Sequence, residues 1–249
     1  MSVTVREVCA ALDAIAPPVG ALPGDPNGLL LGDMDAPVST LLVALDCTAE
    51  VAAAAWKEKE GMVIAHHPLL YHPLRTIRAS DPFPAPVIAF CLEKNIPFAC
   101  AHTSWDVAQG GVNDVLAGLL GLTDIHPLAA NGLGRVGRLP APITVDALLG
   151  ALRVALNFDA LRTFAPLTQI VEVVAVGGGA CAELVPDAIA AGAQALVTSD
   201  VRHHEFIDAQ HRGFALIDAG HRATEQPGAV ELTARLAKAL PDISVRAWK

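Results

Sequence analysis

No apolar stretch in this sequence is long enough to cross a bilayer, because Asp, Glu, Lys, Arg, Pro or Gly interrupts every candidate. The opening, MSVTVREVCAALDAIAPP, also lacks the unbroken apolar core of a secretion signal, since Arg6, Glu7 and Asp13 fall inside it. Lys and Arg form no cluster, and the formal net charge is −9. Both facts argue against a nucleic-acid binder, whose affinity rests on neutralising phosphates. The five cysteines (Cys9, Cys47, Cys91, Cys100, Cys181) are scattered, odd in number and never in a Cys-x-x-Cys pair. They read as buried thiols in a reducing compartment, which excludes a disulfide framework and a thiolate zinc site. Charge is scarce at 17%, against 53% hydrophobic residues, and that balance excludes intrinsic disorder. The expectation is a soluble, cytoplasmic protein. Its positive mean hydropathy comes largely from Ala, Val and Leu and leaves room for an extensive subunit interface. At 249 residues the chain can bury one large core or two smaller ones.

What the sequence does have is rhythm. Residues 4–16 read as a helix stopped by Pro17 and Pro18. VSTLLVALDCT reads as a buried strand, and Thr48 as the N-cap of a helix that ends at Gly61. MVIA is a short strand, APVIAFCLEKN a helix, IPFACA a strand and VNDVLAGLLG a helix. Residues 126–144, rich in Gly and Pro, break the pattern and suggest a subdomain boundary. Beyond it come a helix over 145–156, the strand IVEVVAVGGG, a helix to about Gly192 and the strand ALVTS. A polar helix after Asp200, the strand FALIDAG, a helix from about Thr224 to Leu240 and the strand ISVRAW complete the chain. Alternating strands and helices predict an α/β fold with a largely parallel sheet.

The polar clusters fall at repeated places on that map. His66 and His67 follow MVIA; His102 and Asp106 follow IPFACA. Asp200, His203 and His204 follow ALVT, and His221 and Glu225 follow FALIDA. All lie just beyond the carboxyl ends of predicted strands, the edge where open α/β sheets bind ligands. Taken singly, each cluster has an ordinary explanation. His-His-Pro suits a surface turn, His102 and Asp106 could pair across a turn, and Glu225 could complement a helix dipole. Their joint occurrence favours a metal site. Side chains alternate along a strand, so adjacent His66 and His67 are expected to point different ways, each toward a different metal ion. Histidine and carboxylate donors without thiolate suit Zn²⁺, Fe²⁺, Mn²⁺ or Co²⁺. A carboxylate can bridge two such ions and a water between them serves as nucleophile.

Other motifs carry less. Gly177–Gly179 precede a helix and could cradle a phosphate, but they lack the Walker lysine and the dinucleotide spacing, so a tight strand-to-helix turn is favoured. Cys100 belongs to a buried strand. Trp105 either walls a pocket or packs. GDPNGLLLGD, residues 24–33, has the signature of a turn and needs no further explanation at this level.

In order, GDPNGLLLGD, HHPLLYHP, HTSWDVAQGGVND, GGG, TSDVRHHE and DAGHRATE resemble the NIF-three-like family, whose bacterial members are often labelled GTP cyclohydrolase I type 2. The match runs from about Asn27 to Glu225. The resemblance implies a single α/β unit of two interlinked subdomains, both contributing to a dinuclear metal site in a cleft at strand carboxyl ends, commonly assembled as a homohexamer. Its implied ligands here are His66, His67, Asp106, His221 and Glu225, with Asp106 and Glu225 as bridging candidates. His102 is expected behind the ligands or facing the substrate, and His203 and His204 along the pocket as proton carriers. The implied cofactors are two divalent ions per chain, and the implied partner is a small-molecule substrate, a nucleotide in the cyclohydrolase reading. That reading is a metal-dependent hydrolase opening the guanine imidazole ring of GTP. The alternative is a metal-handling or regulatory protein without turnover. The chain departs from the family in two places: Gly24-Asp25-Pro26-Asn27 replaces the usual Trp-Asp, and Thr198-Ser199-Asp200 replaces Thr-Gly-Asp or Thr-Gly-Glu. These departures touch the pocket and leave the implied ligands intact. The chain also lacks room for the middle domain of longer relatives.

Overall fold

The computed structural model describes residues 2–248. It divides into a first unit, residues up to Ala108 together with those from Ala229 onward, and a second unit, Gln109–Gly228.

The first unit is built on a five-stranded sheet in the order Ser244–Ala247, Thr40–Ala44, Gly61–Ala65, Phe98–Cys100, Gly28–Leu31. Every pairing is parallel except that of Gly28–Leu31, which runs antiparallel at one edge. Thr40–Ala44 is buried throughout, as is Gly61–Ala65 beyond its first residue, which is why these segments read as continuous apolar runs without alternation. The helices Ala49–Lys57 and Ala85–Glu93 supply Val51, Ala52, Ala55, Val87, Ile88 and Cys91 to the core against this sheet. Thr48 caps the first of them, its hydroxyl accepting from the Val51 amide at 3.4 Å. Gly61 is required where the strand begins, because a Cβ there would lie 2.1 Å from the Ala55 carbonyl oxygen.

The second unit carries a six-stranded sheet in the order Thr123–Pro127, Arg135–Thr144, Ile170–Val176, Ala195–Thr198, Ala215–Asp218, Arg162–Thr163. Only its three central strands are mutually parallel; the outer pairings are antiparallel. A largely parallel sheet therefore describes the first unit and not the second. The reason lies in residues 126–144, where the sequence suggested a subdomain boundary. They form the turn and the long strand of a hairpin inside the second unit, with Gly132 and Gly134 at positive φ to make the turn. The chain passes from one unit to the other at 108/109 and again at 228/229. The helix Val145–Leu156 starts on Thr144, whose hydroxyl accepts from Ala147 N at 3.2 Å, and buries Val145, Leu148, Leu149 and Leu152. Among the described residues no helix is long and apolar enough to cross a membrane.

Candidate metal centre

In the first unit, strand Gly61–Ala65 ends one residue before the paired histidines, and His66 and His67 sit in a bend. Their amides continue the ladder, donating to Ala44 O at 3.1 Å and Leu45 O at 2.9 Å. The two ring centroids lie 5.0 Å apart, with the ring planes tilted by 47°.

A third ring joins them. His102 precedes the short helix Thr103–Val107, and its ring centroid is 5.3 Å from that of His66. One ring nitrogen from each of His66, His67 and His102 lies within 4.8 Å of the other two. Each ring is turned by a contact at Nδ1. That of His66 donates to the Ala101 carbonyl at 2.9 Å, that of His67 meets Asp46 Oδ1 at 2.8 Å, and that of His102 meets Asp25 Oδ1 at 2.7 Å. With Nδ1–H donating, the lone pair of a neutral imidazole sits on Nε2, the arrangement by which metal-ligating histidines are oriented. Asp106, in the same short helix, brings Oδ1 to 3.6 Å from His66 Nε2, and both residues are buried. That separation is long for a hydrogen bond and close to the spacing of two donors on one tetrahedral ion, roughly 3.4 Å from bonds of about 2.1 Å.

Asp25 was read as part of a simple turn, and the structure gives it more to do. Its Oδ2 accepts from Thr103 N at 3.1 Å and Thr103 Oγ1 at 2.6 Å, while Oδ1 takes His102. Asn27 Oδ1 accepts from His102 N at 3.0 Å and Ser104 Oγ at 2.7 Å. Burial pushes the Asp25 carboxyl up, but the bonds from Thr103 and His102 outweigh it and leave the net value lowered. Burial, helped by neighbouring His66, pulls His102 below the usual histidine value and keeps the ring neutral. Asp46 was likewise missed. The signal for both was a carboxylate within reach of a histidine, invisible at separations of 77 and 21 residues.

The helix His221–Ala239, whose first residues belong to the second unit, starts three residues earlier than the sequence suggested. His221 and Glu225 are therefore one turn apart on one face, with Nε2 and Oε2 at 3.0 Å. His221 Nδ1 meets Asp200 Oδ2, the carboxylate–imidazole contact seen twice in the first unit. Glu225 is buried against glycine: a Cβ on Gly179 would lie 2.1 Å from Glu225 Oε1. The three glycine amides are all engaged, Gly177 N by Val197 O, Gly178 N by Asn113 Oδ1 and Gly179 N by Thr224 Oγ1, at 2.9, 2.8 and 3.1 Å. They cradle no phosphate; the loop is the strand-to-helix turn the sequence favoured, and it makes room for a carboxylate. Asn113 and Thr224, which the sequence reading gave only as helix residues, are the side chains that engage two of these amides. His203 and His204 open the helix His203–His211 and are exposed, with the His203 ring 5.5 Å from that of Phe164. Neither belongs to a metal-capable cluster among the described residues.

These features define an α/β protein whose strand ends carry oriented imidazoles and buried carboxylates, a donor set suited to borderline divalent ions. The family model described as Duf34/NIF3 (NGG1p interacting factor 3) matches residues 3–249, and the chain belongs to that family. It is 36% identical over 234 residues to a GTP cyclohydrolase 1 type 2 homolog of Streptomyces coelicolor, covering 90% of this chain and 82% of that one. It is 36% identical over 203 residues to a protein of the same description from Nostoc, covering 79% and 76%. Reduced HcgD from Methanocaldococcus jannaschii superposes with a TM-score of 0.85 at 27% identity, over 99% of this chain and 98% of that one. A Bacillus cereus protein related to NIF3 gives 0.94 at 22% identity, over 99% and 97%, a likeness of fold alone.

Proposed function

We propose that the chain is a dinuclear metal-dependent hydrolase, with His66, His67, Asp106, His221 and Glu225 holding two divalent ions. The observation that supports it best is the gathering of the first-unit histidines, each held by a contact at Nδ1 and each with a ring nitrogen within 4.8 Å of one on the other two. Three imidazole nitrogens gathered at this spacing can take up one cation. Bound there, a pair of divalent ions supplies Lewis acidity and an activated water.

The chain's own residues do the rest. Asp46, Asp200 and the Ala101 carbonyl hold their rings in one tautomer and raise ring basicity. Asp106 and Glu225, buried beside imidazoles, supply the negative charge that two divalent ions require. The names of the relatives point to a nucleotide substrate, with hydrolytic opening of the guanine imidazole ring at C8 and release of formate. In that reaction His203 or His204 carries protons between the substrate and solvent. On this reading the functional assembly is a homohexamer.

A second reading has a specific observation in its favour. His203 and His204 are exposed and lie in none of the metal-capable clusters among the described residues, as a metal-handling protein without turnover would have it. Elemental analysis of purified, untagged protein beside Glu225→Gln tests the centre itself. About two ions per chain in wild type, sharply reduced in the variant, is the expected result. No metal after anaerobic reconstitution with Fe²⁺, Mn²⁺ and Zn²⁺ would remove both readings. A nucleotide panel then separates them: a hydrolase turns one over and loses that activity in Asp106→Asn, whereas a handling protein transfers metal to a chelating acceptor and turns over none.

A further inference from the structure

His102 stands outside the ligand set that the family resemblance implies, yet it is held more firmly than a spectator needs to be. Its backbone amide is fixed by Asn27 Oδ1 at 3.0 Å and its ring by Asp25 Oδ1 at 2.7 Å. Asp25 is itself fixed by two bonds from Thr103, and Thr103 Oγ1 also accepts from Leu22 N at 2.9 Å. The ring therefore has one orientation available. In that orientation it meets the His66 and His67 rings at 61° and 74°, with centroids 5.3 and 5.9 Å away. The rings are not stacked face to face, and a nitrogen from each comes within 4.8 Å of the others.

A histidine that served only to hold Asp25 would not need a ring nitrogen within 4.8 Å of one on each of two other imidazoles. Three imidazole nitrogens at this spacing can ligate one cation. Imidazole donors select Zn, Fe, Cu or Ni, ions of borderline softness.

We propose that His102, positioned by Asp25, is a further metal-binding side chain, giving the first unit a three-imidazole set with Asp106 beside it. This rests on the metal-centre reading and adds a donor to it. His102 binds the ion, and Asp25 acts only through His102.

The test is Co²⁺ binding to the full-length protein, read by visible absorption and by competition with a chromophoric chelator, with folding checked by circular dichroism and Tm. Wild type binds Co²⁺ with d–d bands. His102→Ala is expected to bind it at least ten times more weakly, with altered bands, and Asp25→Asn to fall within about the 10–100-fold loss typical of a ligand's supporting partner. His102→Gln keeps a hydrogen-bonding group for Asp25 and removes the imidazole; it carries the same prediction if the alanine variant fails to fold. Wild-type affinity and an unchanged spectrum in a folded His102 variant would overturn this inference and leave the metal centre standing. A wild-type protein that binds no Co²⁺ would overturn both.

Discussion

A Cβ on Gly179 would lie 2.1 Å from Oε1 of Glu225 and 3.1 Å from its Cδ. The carboxylate occupies the space that a side chain would fill, and the glycine is at φ +69°, where L-residues are strained. Gly179→Ala must displace Glu225 or shift the loop. Either outcome separates Glu225 from His221, whose Nε2 is 3.0 Å from Oε2. The expected result is a folded protein with a Tm several degrees lower and clearly less bound metal than wild type, by thermal melt and elemental analysis. Full metal content in the alanine variant would show that Glu225 does not need this space to bind.

Asp46 and His67 make a different kind of pair. Asp46 Oδ1 meets His67 Nδ1 at 2.8 Å, and the Asp46 side chain is 42% exposed, so little packing depends on it. Asp46→Ala should leave the melt within a degree or two of wild type. Metal affinity should fall by about 10–100-fold, because the ring loses its fixed tautomer and some basicity. Competition against a chelator reads this directly. A large fall in Tm with unchanged affinity would make Asp46 a structural residue instead.

These two pairs also mark where the sequence was readable and where it was not. MVIA, ALVT and FALIDA announced buried strands because both faces of each are covered, so their residues are apolar except for Thr198 and Asp218 near the strand ends. The histidines and carboxylates beyond them were found because strand ends are local features. The hairpin of Thr123–Pro127 and Arg135–Thr144 was missed because its Gly and Pro content looks like a linker, while its pairing is made through space. Asp25 was missed for the same reason, since its histidine is 77 residues away. Local pattern located these side chains; the partners that orient them are long-range and left no trace in it.

Gly61 sets the stability of the first unit's sheet. A Cβ there would meet Ala55 O at 2.1 Å and Ala55 C at 2.9 Å, and backbone cannot yield as a side chain would. Gly61→Ala is expected to destabilise by about 1–3 kcal/mol through overpacking. At roughly 2–4 °C per kcal/mol for a chain of this size, the Tm should fall visibly. A variant as stable as wild type would mean that helix Ala49–Lys57 can slide on its strand.

The first helix, Val5–Ile15, gives a prediction in pH. Thr4 N and Oγ1 both donate to Glu7 Oε2, at 2.7 and 2.8 Å, and Glu7 N returns a bond to Thr4 Oγ1 at 3.3 Å. The backbone bond from Thr4, followed by the side-chain bond, holds the Glu7 carboxyl below its ordinary value of 4.5. As pH falls below that value, the unfolded chain takes up the proton before the folded one does. The capping box therefore stabilises fully above pH 4.5 and loses this contribution as pH falls through the lowered folded value. Glu7→Ala should melt below wild type at pH 7, and the gap should close as both are titrated toward pH 3. Because the site is exposed, added salt should narrow the gap at pH 7 as well. A gap that stays constant from pH 7 to pH 3 would assign the effect to the alanine's own backbone preference and remove the carboxylate from the account.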